Sequence, residues 1–355
     1  MSQQISPAEQ LRRDIASLQR SISTLEDKVR LRSVRDSVED IQSTINGFDR
    51  QIADLRKRGY AFGKNLEAQA TDFESQWAGL VPAINREIET QAQQLQSTMR
   101  NVDRKFSQLN AQTGNISAAR SLSSSLESDL ETLESKASSA ERSVNGMFDT
   151  LRAQVHRLKT SLQQVDWMLA ELAEASFQLM VSEAGIMAVK AVWVKDGKGK
   201  KDDPEGVLYL TDQRLIFEQK EEVATKKILF ITTEKEMTQN VLLDVPVVLV
   251  ESVETSKRGL LKNEDFIQVN LESGAQVREA LFHIWQPCDE WQALIQRARA
   301  REFDAERAVP IDPDVVEKVR SAPSQCPSCG GNIDVVIMRG QNEIKCEYCG
   351  LVIRL

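Results

Sequence analysis

The chain has 355 residues, 28% of them charged and 5% aromatic, with a formal net charge of -8. This length implies more than one domain, and so few aromatics among so many charges suit long, solvent-bathed helices better than one large globular core. The acidic balance argues against a general polyanion binder, whose affinity rests on clustered Lys and Arg.

The first residues, MSQQISPAEQLRRD, are polar and hold no apolar segment of a secretion signal. No apolar run reaches the roughly 18 residues that cross a bilayer; the longest, VLLDVPVVLV, is broken by Asp244 and Pro246. A cytoplasmic protein is expected, with peripheral attachment to a membrane left open, and disulfides are not expected in that compartment.

From Leu11 the apolar positions step by three and four: Leu11, Ile15, Leu18, Ile22, Leu25, Val29, then after a slip near Arg32 Val34, Val38, Ile41, Ile45, Phe48, Ile52, Leu55. That spacing lays one apolar stripe along a helix. Ser6 and Pro7 suit its start, and Gly59 and Gly63 its end, so a helix is expected over about 7–58. A second series from Leu66 to Leu109 gives a helix over about 64–113, which Pro82 should kink or cut. A third, through Leu122, Leu126, Leu130, Leu133, Ala137, Ala140, Val144, Met147 and Leu151 to Leu172, gives a helix over about 115–184. No such helix buries its stripe alone. The short breaks favour an antiparallel three-helix coiled coil over residues 1–185, while an open rod pairing with a second copy is the competing arrangement. The small residues Ala137 and Ala140 and the stretch SLSSSLES thin the third seam and offer a place for a partner. His156 beside Val155 reads as a surface residue.

After Gly185 the period changes to two. IMAVKAVWV alternates, the loop KDGKGKKDDPEG follows, and GVLYLTDQRLIF reads as strand, turn at Thr211–Asp212–Gln213, and return strand. KKILFITTEKE, VLLDVPVVLVESVETS, DFIQVNLE and AQVREALFHIW continue as short strands, and DEWQALIQRARAREFDAERA as an amphipathic helix with Asp289 as its N-cap. Several strands closed by one helix is the plan of a pleckstrin-homology-like (PH-like) β-barrel or sandwich. Gly206–Phe217 resembles the signature hairpin of bacterial PH-like and GRAM domains, LLDVPVVLVESVETSKRG their next strand pair, and DEWQALI their terminal helix. The resemblance covers 186–302 and implies a binding module for lipid headgroups or peptides, not an enzyme. Lys195, Lys198, Lys200 and Lys201 in the first loop are the candidate contacts for an anionic surface, although Asp196, Asp202, Asp203 and Glu205 interleave with them and a plain solvated loop is the competing reading. Lys257, Arg258 and Lys262 form a second basic spot.

GKGKK lacks the spacing of a phosphate-binding loop, and His283 and Cys288 do not form an assignable base and nucleophile. No catalytic residue is expected, and the chain is read as a non-enzyme. Residues 303–323, with three prolines, read as a linker. Then come Cys326-x2-Cys329 and, after sixteen residues, Cys346-x2-Cys349. This spacing identifies a zinc ribbon over 324–355 with a hairpin of Ile333–Arg339 and Glu343–Lys345 and a third strand at Leu351–Leu355. Four thiolates close a tetrahedral site, so the expected zinc ion (Zn2+) is structural, with a dithiol redox pair or iron as the lesser alternatives. A ribbon with three cations and one aromatic, Tyr348, is a poor nucleic-acid footprint.

The expected protein is therefore a multidomain scaffold or adaptor. Its coiled coil would self-associate or bind protein partners, its PH/GRAM-like module would dock on a membrane surface or protein, and its zinc ribbon would be structural. The alternative is a nucleic-acid-associated regulatory factor using the ribbon.

Overall fold

The computed structural model describes residues 6–195, 203–228, 231–259, 263–333 and 336–355, with side chains described outside 222–236. It contains two compact units, one formed by residues up to Asp49 with Ala68–Lys159, the other by Arg50–Glu67 with Thr160–Leu355.

The first helix, α1 (Pro7–Val29), starts where its capping residues place it. Ser6 accepts from the Glu9 amide at 3.2 Å and the Glu9 carboxylate accepts from the Ser6 amide at 3.0 Å, so two amides left over at the helix end are satisfied. The slip near Arg32 is a break: Leu31 takes a left-handed conformation with φ 52° and is fully buried, and α2 (Arg32–Lys57) begins after it. Turning Leu31 inward keeps the seam continuous from Val29 to Val34. The next helix, α3 (Leu66–Ala111), runs through Pro82 uncut. Pro82 and Ala78, whose carbonyl loses its partner, are both exposed, so water can satisfy that carbonyl and the apolar face is untouched. Asn115 caps α4 (Ile116–Gly146) through the Ala118 amide, and α5 spans Asp149–Ala173. The third expected helix is thus broken at Met147–Phe148 and stops well short of 184. The break buries Phe148 edge-on against Trp77 at 5.8 Å and turns Met147 outward.

Within the first unit the three helical segments lie on one another. Lys28 meets Glu134 at 2.6 Å and Ser33 meets Glu141 at 2.9 Å, while Arg35 meets Glu89 and Trp77 Nε1 donates to Gln42 at 2.8 Å. Partner numbers rise together between α1–α2 and α4 and oppose between α2 and α3, which is an up-down-up course. Ala137, Ala140 and Ser123 are buried in it.

The second unit is built on one antiparallel sheet in the order β4-β3-β2-β1-β7-β6-β5. The strands are β1 (Gly185–Trp193), β2 (Glu205–Thr211), β3 (Arg214–Ile228), β4 (Ile231–Pro246), β5 (Val250–Arg258), β6 (Glu264–Leu271) and β7 (Glu279–Ile284). β3 and β4 outrun the rest: β2 pairs with β3 only as far as Gly206↔Gln219, whereas the β3–β4 ladder continues to Ile228↔Ile231. Gly206 is required there, since a Cβ would lie 1.9 Å from the Glu218 carbonyl oxygen. The core is aromatic at its centre, where Trp193, Phe217 and Phe282 meet at 5.2–5.9 Å. Helix α6 (Cys288–Arg299) closes it with Trp291 and Ile295, and Gln292 donates to the Val253 carbonyl at 2.6 Å. Its N-cap is Pro287, one residue before Cys288, so Asp289 lies in the first turn instead.

Two segments outside the strands enter this core. Ala61 and Phe62, in the turn between α2 and α3, are buried in it, with Phe62 edge-on to Phe303 at 5.5 Å. Gly59 and Gly63 bound the turn with φ of 98° and 69°. Phe303 opens the stretch read as a linker, whose first part is therefore packed; Ala308 donates to the Ala61 carbonyl at 2.8 Å. A short helix, α7 (Pro313–Ser321), precedes the cysteines. In the tail, β8 (Glu343–Lys345) pairs with β9 (Val352–Arg354). Among the described residues of the expected strand at Ile333–Arg339, none pairs with β8. Met338 instead bridges Met180, and residues 334 and 335 lie outside the described part.

Candidate metal centre and docking face

The tail folds twice in the same way. The Gly330 amide donates to the Cys326 carbonyl and the Gly350 amide to the Cys346 carbonyl, both at 2.9 Å. Back across each knuckle, Cys326 donates to the Gly331 carbonyl and Cys346 to that of Leu351. Gly330 and Gly350 carry φ of 70° and 76°, a conformation that glycine adopts without steric cost. The knuckles meet through Gly331, where a Cβ would strike the Tyr348 ring at 2.5 Å.

This brings all four Sγ atoms within 4.8 Å of one another, with Cys326 and Cys346 buried and Cys329 and Cys349 exposed. Cys326 Sγ lies 3.6 Å from Cys349 Sγ and Cys329 Sγ 3.7 Å from Cys346 Sγ. Thiolates at 2.3 Å around a tetrahedral zinc lie about 3.8 Å apart, and a disulfide needs about 2.05 Å. The spacing fits a metal clip. The Cys329 amide, with that of Ser328, brings the Cys326 thiol down to about 6. At Cys329 the Gly331 amide favours the thiolate, but the Cys349 thiol, desolvation and the thiols of Cys326 and Cys346 together outweigh it and push the group up to about 12. One thiolate thus opposes the next, a condition that a dication reverses. The four expected ligands are brought together, and their geometry accepts a metal ion.

Of the expected surface lysines, Lys195 lies at the foot of its loop, with its amide donating to Asp203 at 3.3 Å and its Nζ 5.6 Å from the Trp193 ring centre. Lys198, Lys200, Lys201 and Lys262 lie outside the described residues. Cys288 is buried, and burial raises its thiol to about 11. His283 has Phe266 and Trp285 as its ring neighbours, and His156 is exposed on α5.

A feature missed in the sequence lies on the outer face of β5, β6 and β7. Ala280, Phe282 and Ile284 point inward, so His283 and Trp285 point out. Phe266 stands opposite His283 in the ladder, and the rings stack at 4.8 Å; His283 meets Trp285 at 4.5 Å, and the Arg258 guanidinium caps the row 4.6 Å from Phe266. Trp285 is 58% exposed. Lys190 lies beside it, with the Trp285 amide on the Lys190 carbonyl, and Lys257 reaches Asp265 at 3.5 Å. A large apolar residue in the outward phase of AQVREALFHIW was the available signal.

The sequence also gave no hint of a buried ionic group at the base of the β2–β3 turn. The Glu183 carboxylate, fully buried, accepts from Thr211 at 2.6 Å and Arg214 at 2.7 Å; Arg214 also reaches Asp244 at 2.6 Å. Asp212 holds the Ala184 amide at 2.8 Å and pairs with Arg307. Burial raises the Asp212 and Asp244 carboxyls despite their arginine partners.

Among the described residues no helix is long and apolar enough to cross a membrane. No protein-family model matches the chain, and no curated protein is detectably similar to it. Similar solved structures include the Slm1-PH domain in complex with inositol-4-phosphate, 11% identical with a TM-score of 0.22 over 33% of this chain and 97% of that one. Others are the DH/PH domains of p115-RhoGEF, 15% identical with a TM-score of 0.21 over 83% and 93%, and the PDZ-RhoGEF DH/PH domains with GTP-gamma-S activated RhoA, 12% identical with a TM-score of 0.22 over 84% and 96%. Likeness at this level decides neither family nor role.

Proposed function

We propose that this chain is a non-enzymatic scaffold or adaptor, cytoplasmic and peripheral to a membrane. Its helical segments, as a coiled coil, serve association with protein partners or a second copy. Its PH/GRAM-like sheet domain docks on an anionic membrane surface, and its four cysteines hold a structural zinc ion. The observation that carries the docking role is the row Arg258, Phe266, His283, Trp285 with its exposed end at Trp285. Tryptophan favours the boundary between headgroups and acyl chains, where its ring is apolar and its N–H stays wet. Lys190, Lys257 and Arg258 flank it, and each cation near an anionic leaflet contributes about 1 kcal/mol.

Co-sedimentation of the full chain with vesicles tests this reading. Phosphatidylcholine vesicles containing phosphatidylserine should bind the protein, neutral vesicles should bind it several-fold less, and added salt should release it. Trp285→Ala should weaken binding several-fold; the ring is exposed, so the variant should fold. No sedimentation at low salt removes membrane docking, and sedimentation unchanged by Trp285→Ala but lost with Lys198, Lys200 and Lys201 replaced moves it to the first loop.

A further inference from the structure

Eleven residues, Glu174 to Ala184, join α5 to β1 without belonging to either. Backbone groups in such a stretch need partners, and the tail supplies some of them. The Val181 amide donates to the Ile337 carbonyl at 3.1 Å, and the Arg339 amide donates to the Leu179 carbonyl at 3.0 Å. Between these bonds Met180 and Met338 form an antiparallel bridge. Three residues of the tail are thus paired with the connector around one isolated bridge. The Arg339 guanidinium then donates to the Glu183 carbonyl, and the Glu183 carboxylate accepts from the Met180 amide at 2.8 Å and from Arg214. The cluster around Glu183 holds three carboxylates, Glu183, Asp212 and Asp244, against Arg214 and Arg307; Arg339 feels Glu183 and Asp212 and is the third cation.

The paired segment lies in the chain between the two knuckles. The buried core of the tail is Cys326, Ile333, Ile344 and Cys346. Half of it is metal ligand, Ile353 and Leu355 pack on it only partly buried, and Ile337 is buried outside it; so small a core does not by itself hold some 30 residues in place. We infer that metal bound at the four cysteines keeps Ile337–Arg339 paired on the connector, and that removing the metal undoes this pairing. The connector's backbone groups at Leu179 and Val181 are thus partnered by the chain's own tail. The metal dependence rests on the zinc reading above.

Hydrogen exchange on the full chain tests it, with zinc content measured on the same samples. Chelation should speed exchange of the Val181 and Arg339 amides at least about tenfold and leave Leu208, in the centre of the sheet, unchanged; added Zn2+ should restore protection. Arg339→Pro, which removes one donor of the pairing but no ligand, should expose Val181 while zinc content stays at one per chain. Unchanged protection at Val181 after the zinc has left, or full protection in the proline variant, overturns the inference while leaving the metal site standing. A chain that takes up no zinc overturns both.

Discussion

Glu183 and Arg214 are 31 residues apart, and neither side chain reaches bulk water to any extent. Their pairing costs desolvation of both ions, and the bidentate geometry with Thr211 and Asp244 offsets that cost. Removing one partner is therefore worse than removing both. Arg214→Met should destabilise the second unit by about 3–5 kcal/mol because it leaves a carboxylate buried alone, and Glu183→Leu combined with Arg214→Met should recover much of the loss. Urea midpoints of the three proteins check this; equal midpoints for the single variant and the wild type would show that the pair carries no strain of desolvation. At this scale the sequence was partly legible. The turn at Thr211–Asp212–Gln213 and the clustering of the four cysteines could be read because each is set by local spacing. Glu183, Asp244 and Arg307 could not, since their contacts with the turn come from distant stretches and no periodicity reports them. Trp285 lay between the two cases: strand alternation placed it outside, and its size there was the signal of the exposed aromatic row.

Helical elements were legible as seams and illegible at their breaks, for one physical reason. A break that consumes one or two residues can hand the apolar stripe to the next helix without a gap, as Leu31 does between Val29 and Val34. At Met147–Phe148 the seam could be continued through either residue. A heptad count selects Met147, but the structure buries Phe148 against Trp77 and leaves Met147 at the surface. Phe148→Ala should cost about 3–5 kcal/mol, the transfer of a large ring plus the cavity it leaves, while Met147→Ala should stay within about 0.5 kcal/mol. Thermal melts followed by far-ultraviolet circular dichroism distinguish the two; a large loss for Met147→Ala would restore the unbroken helix. Pro82 is the converse case, a strong breaker on a wet face where water replaces the missing partner. In the tail, a strand was correctly placed at Glu343–Lys345, but its neighbour proved to be β9, and Ile337–Arg339 went to the connector. Short strands of three residues carry too little pattern to name their partners.

For the whole molecule, the order of helices, strands and cysteine pairs could be read because the period of the apolar residues changes from about 3.5 to 2 at Gly185. The insertion of Ala61 and Phe62 into the sheet core could not, because they look like any turn next to two glycines. The charge of the chain, -8, bears on the choice between the proposed membrane surface and the alternative of a nucleic acid. The tail offers Arg339, Lys345 and Arg354, and Arg339 is turned onto the Glu183 carbonyl. Three phosphate contacts at most would give a log–log salt slope near -3, too shallow and too weak for retention at physiological salt against the repulsion of an acidic chain. The flanked row at Trp285 has an apolar component that a duplex does not satisfy and a headgroup boundary does. The zinc-loaded chain should therefore leave a 30-base-pair duplex unshifted at about 150 mM salt while still sedimenting with phosphatidylserine vesicles. A retained duplex whose affinity falls steeply with salt, together with loss of that binding in Lys345→Glu and Arg354→Glu, would make the tail a nucleic-acid reader and displace the membrane as the partner.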